Sequence, residues 1–204
     1  NQITKILSTL GSGIAAFIVG VLLSQYKKLE LVGEAFFFIS GLVMPIGLTV
    51  TFDIAGLKTT GSGMQSFISG ILLTSYLASY LIFKKTSFLI FTISFGTWLF
   101  FSLTSFLVGS NPLFGWRFDG YRVLLSGLSY MLLGYAFSQT TQTAQRTLRG
   151  WLYGLGVFVF LGAAISLGGW SPHQSPLWEL LSPGLVFGVI FLSIYLKNKS
   201  FLVF

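Results

Sequence analysis

The chain has 204 residues, of which only 8% are charged while 53% are hydrophobic, and it carries a net charge of +7. A soluble domain holds about 25% charged residues, so this composition excludes a water-soluble globular fold and points to a polytopic membrane protein. The absence of cysteine excludes disulfides, thiolate nucleophiles and thiolate metal sites.

Seven apolar segments follow one another along the chain, at roughly 6–25, 31–52, 63–83, 87–109, 121–138, 150–168 and 178–196. Each has about the 20 residues a helix needs to cross a hydrocarbon core. The breaks between them have physical causes. Tyr26 to Glu30 and the Lys84-Lys85 pair bring charges that are costly in lipid. Residues 53–63 are polar and glycine-rich, and Asn111 to Gly120 carries interfacial anchors in Trp116 and Arg117. Gln139 to Arg149 is polar enough to be a loop, and Gly169 to Pro176 holds two prolines. No segment alternates apolar and polar residues as a barrel strand does. The expected fold class is therefore all-α, a transmembrane helical bundle of about seven spans forming a single integral membrane domain over 1–204. Asn1 in place of an initiator Met, and the apolar Ser200–Phe204, lead us to expect a longer native chain.

The basic residues are distributed unevenly between the two sides. Lys27, Lys28, Lys84, Lys85, Arg146, Arg149, Lys197 and Lys199 fall on one side, against Lys5, Lys58, Arg117 and Arg122 on the other. The positive-inside rule then puts the N-terminus outside and the C-terminus in the cytoplasm. A seven-span retinal protein needs a lysine in its last span, and 178–196 has none. The +7 charge lies in pairs at segment ends rather than in a soluble patch, which suits anionic headgroups and argues against nucleic acid.

Few residues carry chemistry. Glu34 lies about one turn inside the second segment, and an ionisable group within a span is a functional candidate. It is also placed to pair with Lys27 or Lys28 or to sit at a positive helix N-terminus. Pro45, followed by Thr49 and Thr51, is expected to kink that helix and free carbonyls that could line a cavity. Asp53 closes the segment as an interfacial charge or a vestibule guard. Asp119 and Arg122 suit an ion pair at a helix entry. His173, the only histidine, stands in a loop without metal-ligating companions.

Two GxxxG matches, Gly150/Gly154 and Gly184/Gly188, and a stripe of Ser12, Ala16 and Gly20 are candidates for close helix packing. A short pattern recurs at Ile39-Ser-Gly-Leu42, Ile68-Ser-Gly-Ile71 and Leu125-Ser-Gly-Leu128, as chance in this composition or as duplication. GxSxG, HExxH, P-loop and GxGxxG motifs are all missing.

The run from Leu31 through Gly33-Glu34-Ala35, Met44-Pro45-Ile46-Gly47 and Asp53 to Leu57 resembles the bacterial predicted membrane proteins classed as domain of unknown function 2157. In that family a Gly-Glu-Ala helix with a glycine-rich middle leads into a short polar turn, and Lys197 to Phe204 looks like its entry into a further helix. This chain has Asp53-Ile-Ala where the family often carries a Gln-Ile/aromatic turn, and it lacks the family's cytoplasmic N-terminal region. The resemblance implies a multi-helix bacterial inner-membrane protein with no established activity, and carries over only Gly33 and Glu34.

The residues together favour a non-catalytic membrane component within a larger assembly, with the bilayer and other membrane proteins as partners and no cofactor or metal. The alternative is a small-molecule or ion transporter using Glu34 and the Pro45 kink. A lipid-modifying enzyme ranks last for want of catalytic residues.

Overall fold

The computed structural model describes residues 2–109, 116–168 and 175–195. These residues form seven α-helices: α1 (Gln2–Ser24), α2 (Glu30–Ile54), α3 (Ser62–Phe83), α4 (Thr86–Val108), α5 (Trp116–Ser138), α6 (Thr143–Gly168) and α7 (Pro176–Tyr195). The fold is an all-helical bundle. Five helices, α1 to α4 and α6, are long and apolar enough to cross a membrane. Helix α5 is diluted by Arg117, Asp119 and Arg122 in its first turns, and α7 is apolar over Pro176–Phe191. His173 and the segment 196–204, with Lys197 and Lys199, lie outside the described residues.

Each turn has a local cause. Gly56 ends α2 at φ +83, with Leu57 N–H donating to Phe52 O and Gly56 N–H to Asp53 O. That pair of bonds is a Schellman closure, and it needs a left-handed residue that glycine adopts at no steric cost. Helix α3 stops at Lys84, which takes a left-handed φ of 52 without being glycine. One extended residue, Lys85, then starts α4.

The expected loop over Gln139 to Arg149 is a shorter connection, because α6 already begins at Thr143. Ala144, Leu148 and Leu152 recur at helical spacing and are all buried. This stripe extends the helix through a polar sequence, since packing of one apolar face outweighs modest propensity.

The helix contacts group into two compact units, Asn1–Gly109 and Ser110–Phe204. In the first, α1 and α2 cross closely in antiparallel register. A Cβ on Gly20 would lie 2.7 Å from the Phe37 ring, one on Gly33 2.9 Å from Gly20 O, and one on Gly47 2.8 Å from Leu10 Cα. Gly33, Ser40 and Gly47 are spaced by seven, and all three are buried. A small residue on every second turn lets the backbones approach where apolar burial gives no driving force in lipid. The Ser12–Ala16–Gly20 stripe is corrected by one position. Ser12 is exposed and bonded within its own helix, and Gly13 takes its place against Met44.

Aromatic rings fill the space between α1–α2 and α3–α4. Phe37 is fully buried, with its ring centroid 5.8 Å from Phe17, 6.4 Å from Phe83 and 4.5 Å from Phe88. It thus touches rings from α1, α3 and α4. Tyr76 continues the layer against Phe91 and Phe95, at 5.4 and 5.2 Å. The polar atoms inside include two hydroxyl pairs, Ser40 with Tyr76 and Ser69 with Ser102, both at 3.4 Å, and the buried Ser87 hydroxyl, which has no hydrogen-bond partner among the described residues.

In the second unit α5 packs on α6 through another seven-residue series. A Cβ on Gly120, Gly127 or Gly134 would meet Leu167, Phe160 and Tyr153 respectively, at 2.6, 2.5 and 3.2 Å. The glycines rise by seven while their partners fall by seven, the signature of antiparallel helices in constant register. Helix α7 adds Val189 to a core of Tyr153 and Val157. Gly184 and Gly188, the sequence-level packing pair on α7, instead face open space within 4 Å. Gly150 and Gly154 on α6 are half-buried.

Candidate functional site

The ion pair of the first unit stands at the end where α1 gives way to α2 and α3 to α4. Glu30 opens α2, and its carboxylate forms an ion pair with Lys85, which opens α4. The pair therefore pins two helix entries together. Glu34 lies one turn further in and is half-buried, and among the described residues it forms no hydrogen bond or ion pair. The expected pairing of Glu34 with Lys27 or Lys28 is replaced by the Glu30–Lys85 pair. The physical reason is position: Glu30 stands at the helix mouth beside the α3–α4 turn, whereas Lys27 and Lys28 are exposed.

Along α2, the next inward polar group is Ser40, bonded to Tyr76. Between Glu34 and Ser40 stands Phe37, fully buried in its ring cluster. Along α2 a buried aromatic position thus lies between the acidic residue and the inner hydroxyl.

Pro45 lies inside α2, which continues through it as one helix. The threonines that follow turn inward on their own helix, Thr49 Oγ1 donating to Pro45 O at 2.8 Å and Thr51 Oγ1 to Gly47 O at 2.7 Å. Their hydroxyl protons are therefore committed to backbone. Asp53 accepts from Thr59 N at 3.3 Å and from Thr59 Oγ1 at 2.5 Å. It is exposed and organises the α2–α3 turn, with Thr59 buried beneath it. This is a structural task for the carboxylate.

In the second unit Asp119 pairs with Arg122, as their spacing predicts, and the guanidinium lies 5.0 Å from the Phe118 ring centroid. Nearby, Trp178 Nε1 donates to the Tyr121 hydroxyl at 3.4 Å, tying the start of α7 to the start of α5.

Sequence reasoning missed two features. The Glu30–Lys85 bridge spans 55 residues, so no local spacing announces it. The Gly120–Gly127–Gly134 series was open to a search at spacing seven, whereas GxxxG scans at spacing four. None of the protein-family models, curated proteins or solved structures compared with this chain matches it.

Proposed function

We propose that this chain is a non-catalytic component of a larger membrane assembly, in the bacterial inner membrane that the resemblance in α2 implies. The observation that carries the reading is the aromatic packing of the first unit. Phe37 and its neighbouring rings pack between the helix pairs, at a position on α2 between Glu34 and Ser40, which bonds to Tyr76. A proton or ion route needs a chain of polar groups, and an aromatic layer interrupts such a chain.

On this reading Glu34 reaches headgroup water. Glu34→Gln should change thermal stability by no more than about 1 kcal/mol, because the carboxylate has no ion pair among the described residues to lose, and should leave proton flux in reconstituted vesicles unchanged. A pH-dependent flux in the wild type that disappears in Glu34→Gln at equal stability would establish the transporter instead.

The orientation in the same proposal puts the N-terminus outside, supported by eight basic residues against four. With no native cysteine, single cysteines at Gln142 and Thr86 should react with an impermeant maleimide only after the cells are opened. Labelling of intact cells at Gln142 would reverse the orientation.

A further inference from the structure

The first two turns of α6 carry groups that crossing a bilayer does not require. The helix has 26 residues, about 39 Å at 1.5 Å per residue, against a hydrocarbon core of about 30 Å. The excess is Thr143 to Arg149. Ala144 and Leu148 are buried, so these turns are held firmly. On their outer side Thr143, Arg146, Thr147 and Arg149 line one recess of ≈ 330 Å³.

The charge in this recess is uncompensated. Arg146 and Arg149 are exposed, and neither is paired with a carboxylate among the described residues. The acids of this unit, Asp119 and Glu179, lie in the first turns of α5 and α7. Helix α5 runs antiparallel to α6, and Ser175 N–H bonds to Gly168 O where α7 begins. Both acids therefore sit at the far end of α6. The recess offers two guanidinium groups and the Thr143 hydroxyl, while Thr147 Oγ1 is committed to Thr143 O at 2.9 Å. Guanidinium forks bind phosphate oxygens in pairs.

The same face of α6 changes character one turn further on. Trp151, Leu155 and Phe158 continue the line of Thr143 and Thr147 and are 79%, 49% and 63% exposed. A basic recess leading directly onto an exposed apolar stripe, with tryptophan at the junction, matches a molecule with an anionic head and a hydrocarbon tail. We propose that this face of α6 is a binding site for an anionic phospholipid, its phosphate held by Arg146 and Arg149 and its acyl chain lying along Trp151, Leu155 and Phe158. A free phosphate would use the arginines but not the stripe.

The test uses the purified full chain in neutral detergent, with phosphatidylglycerol, phosphatidylcholine of the same acyl chains, and inorganic phosphate as probes. Lipid retention is read by native mass spectrometry. Phosphatidylglycerol should be retained in preference to phosphatidylcholine. Arg146→Gln/Arg149→Gln should weaken retention roughly thirtyfold, from about 1 kcal/mol for each basic residue near a membrane surface. Each single variant should weaken it about fivefold, which covers a double variant that fails to fold. Lys27→Gln/Lys28→Gln, an equally basic exposed pair on another turn, should leave retention intact, and Trp151→Ala should weaken the lipid but not inorganic phosphate. Equal retention by the arginine variants, or equal loss in the lysine variant, would overturn the site. Displacement of the lipid by inorganic phosphate of comparable affinity would overturn its assignment to a lipid.

Discussion

Gly127→Ala should destabilise the protein by about 1–3 kcal/mol, although alanine is the better helix former. On an open helix surface that replacement gains roughly 0.5–1 kcal/mol, because glycine loses more backbone entropy on folding. At Gly127 the new Cβ would lie 2.5 Å from Phe160 N and 2.8 Å from Phe160 Cα. Those atoms are backbone and have no rotamer with which to yield, so α5 and α6 must separate and lose contacts along their whole seam. Gly162→Ala is the matched control, since a Cβ there meets nothing within 4 Å. It should be neutral or stabilising. Thermal unfolding in detergent should give opposite signs for the two variants, with Gly127→Leu worse than Gly127→Ala. The same sign at both positions would show that the seam does not set stability.

Phe37→Ala should be the most damaging single truncation in the first unit. Its ring is fully buried and contacts aromatic partners from three other helices. In a water-surrounded core the change costs about 3–5 kcal/mol, of which part is transfer of apolar surface and part the cavity left behind. Lipid is itself apolar, so the transfer part shrinks and the packing part persists. We expect about 2–3 kcal/mol, and about 1 kcal/mol for Phe37→Leu, which fills much of the space. Phe38→Ala is the comparison: that ring meets Phe91 at 5.3 Å but is 39% exposed, and its loss should cost under 1 kcal/mol. Unfolding temperatures of the three variants should fall in that order, and an equal effect at Phe37 and Phe38 would place the core elsewhere.

The helices themselves were legible because lipid imposes a single rule, that a run of apolar residues must satisfy its backbone internally. Charged breaks such as Lys84-Lys85 therefore marked real boundaries to within a few residues. The largest difference, the start of α6, arose because Ala144 and Leu148 are too sparse to register as apolar sequence yet are enough to hold a helix against its neighbours. The Asp119–Arg122 pair was visible since both members share one turn. The Glu30–Lys85 pair was not, because it depends on how two helix entries meet. Glycine positions showed the limit most clearly. Gly184 and Gly188 have the better-known spacing but face open space, whereas Gly120, Gly127 and Gly134 face a neighbouring helix. Spacing says that a helix has a small-residue face; only the fold says whether another helix lies on it.

Every intimate helix crossing described above joins neighbours in sequence, closed by short connections such as Lys84-Lys85. This has a consequence for biogenesis. Short loops cost little entropy to close, so a chain emerging N-terminus first can complete α1–α2 before α3 has been made. Its Phe17 and Phe37 rings then wait on a finished hairpin until Phe88 arrives with α4. A defect at Gly33 would thus stall an early pairing step, while a defect at Phe88, whose ring meets Phe17 and Phe37 from α4, would spare the α1–α2 hairpin and fail at docking. The two lesions would halt the nascent protein at different chain lengths.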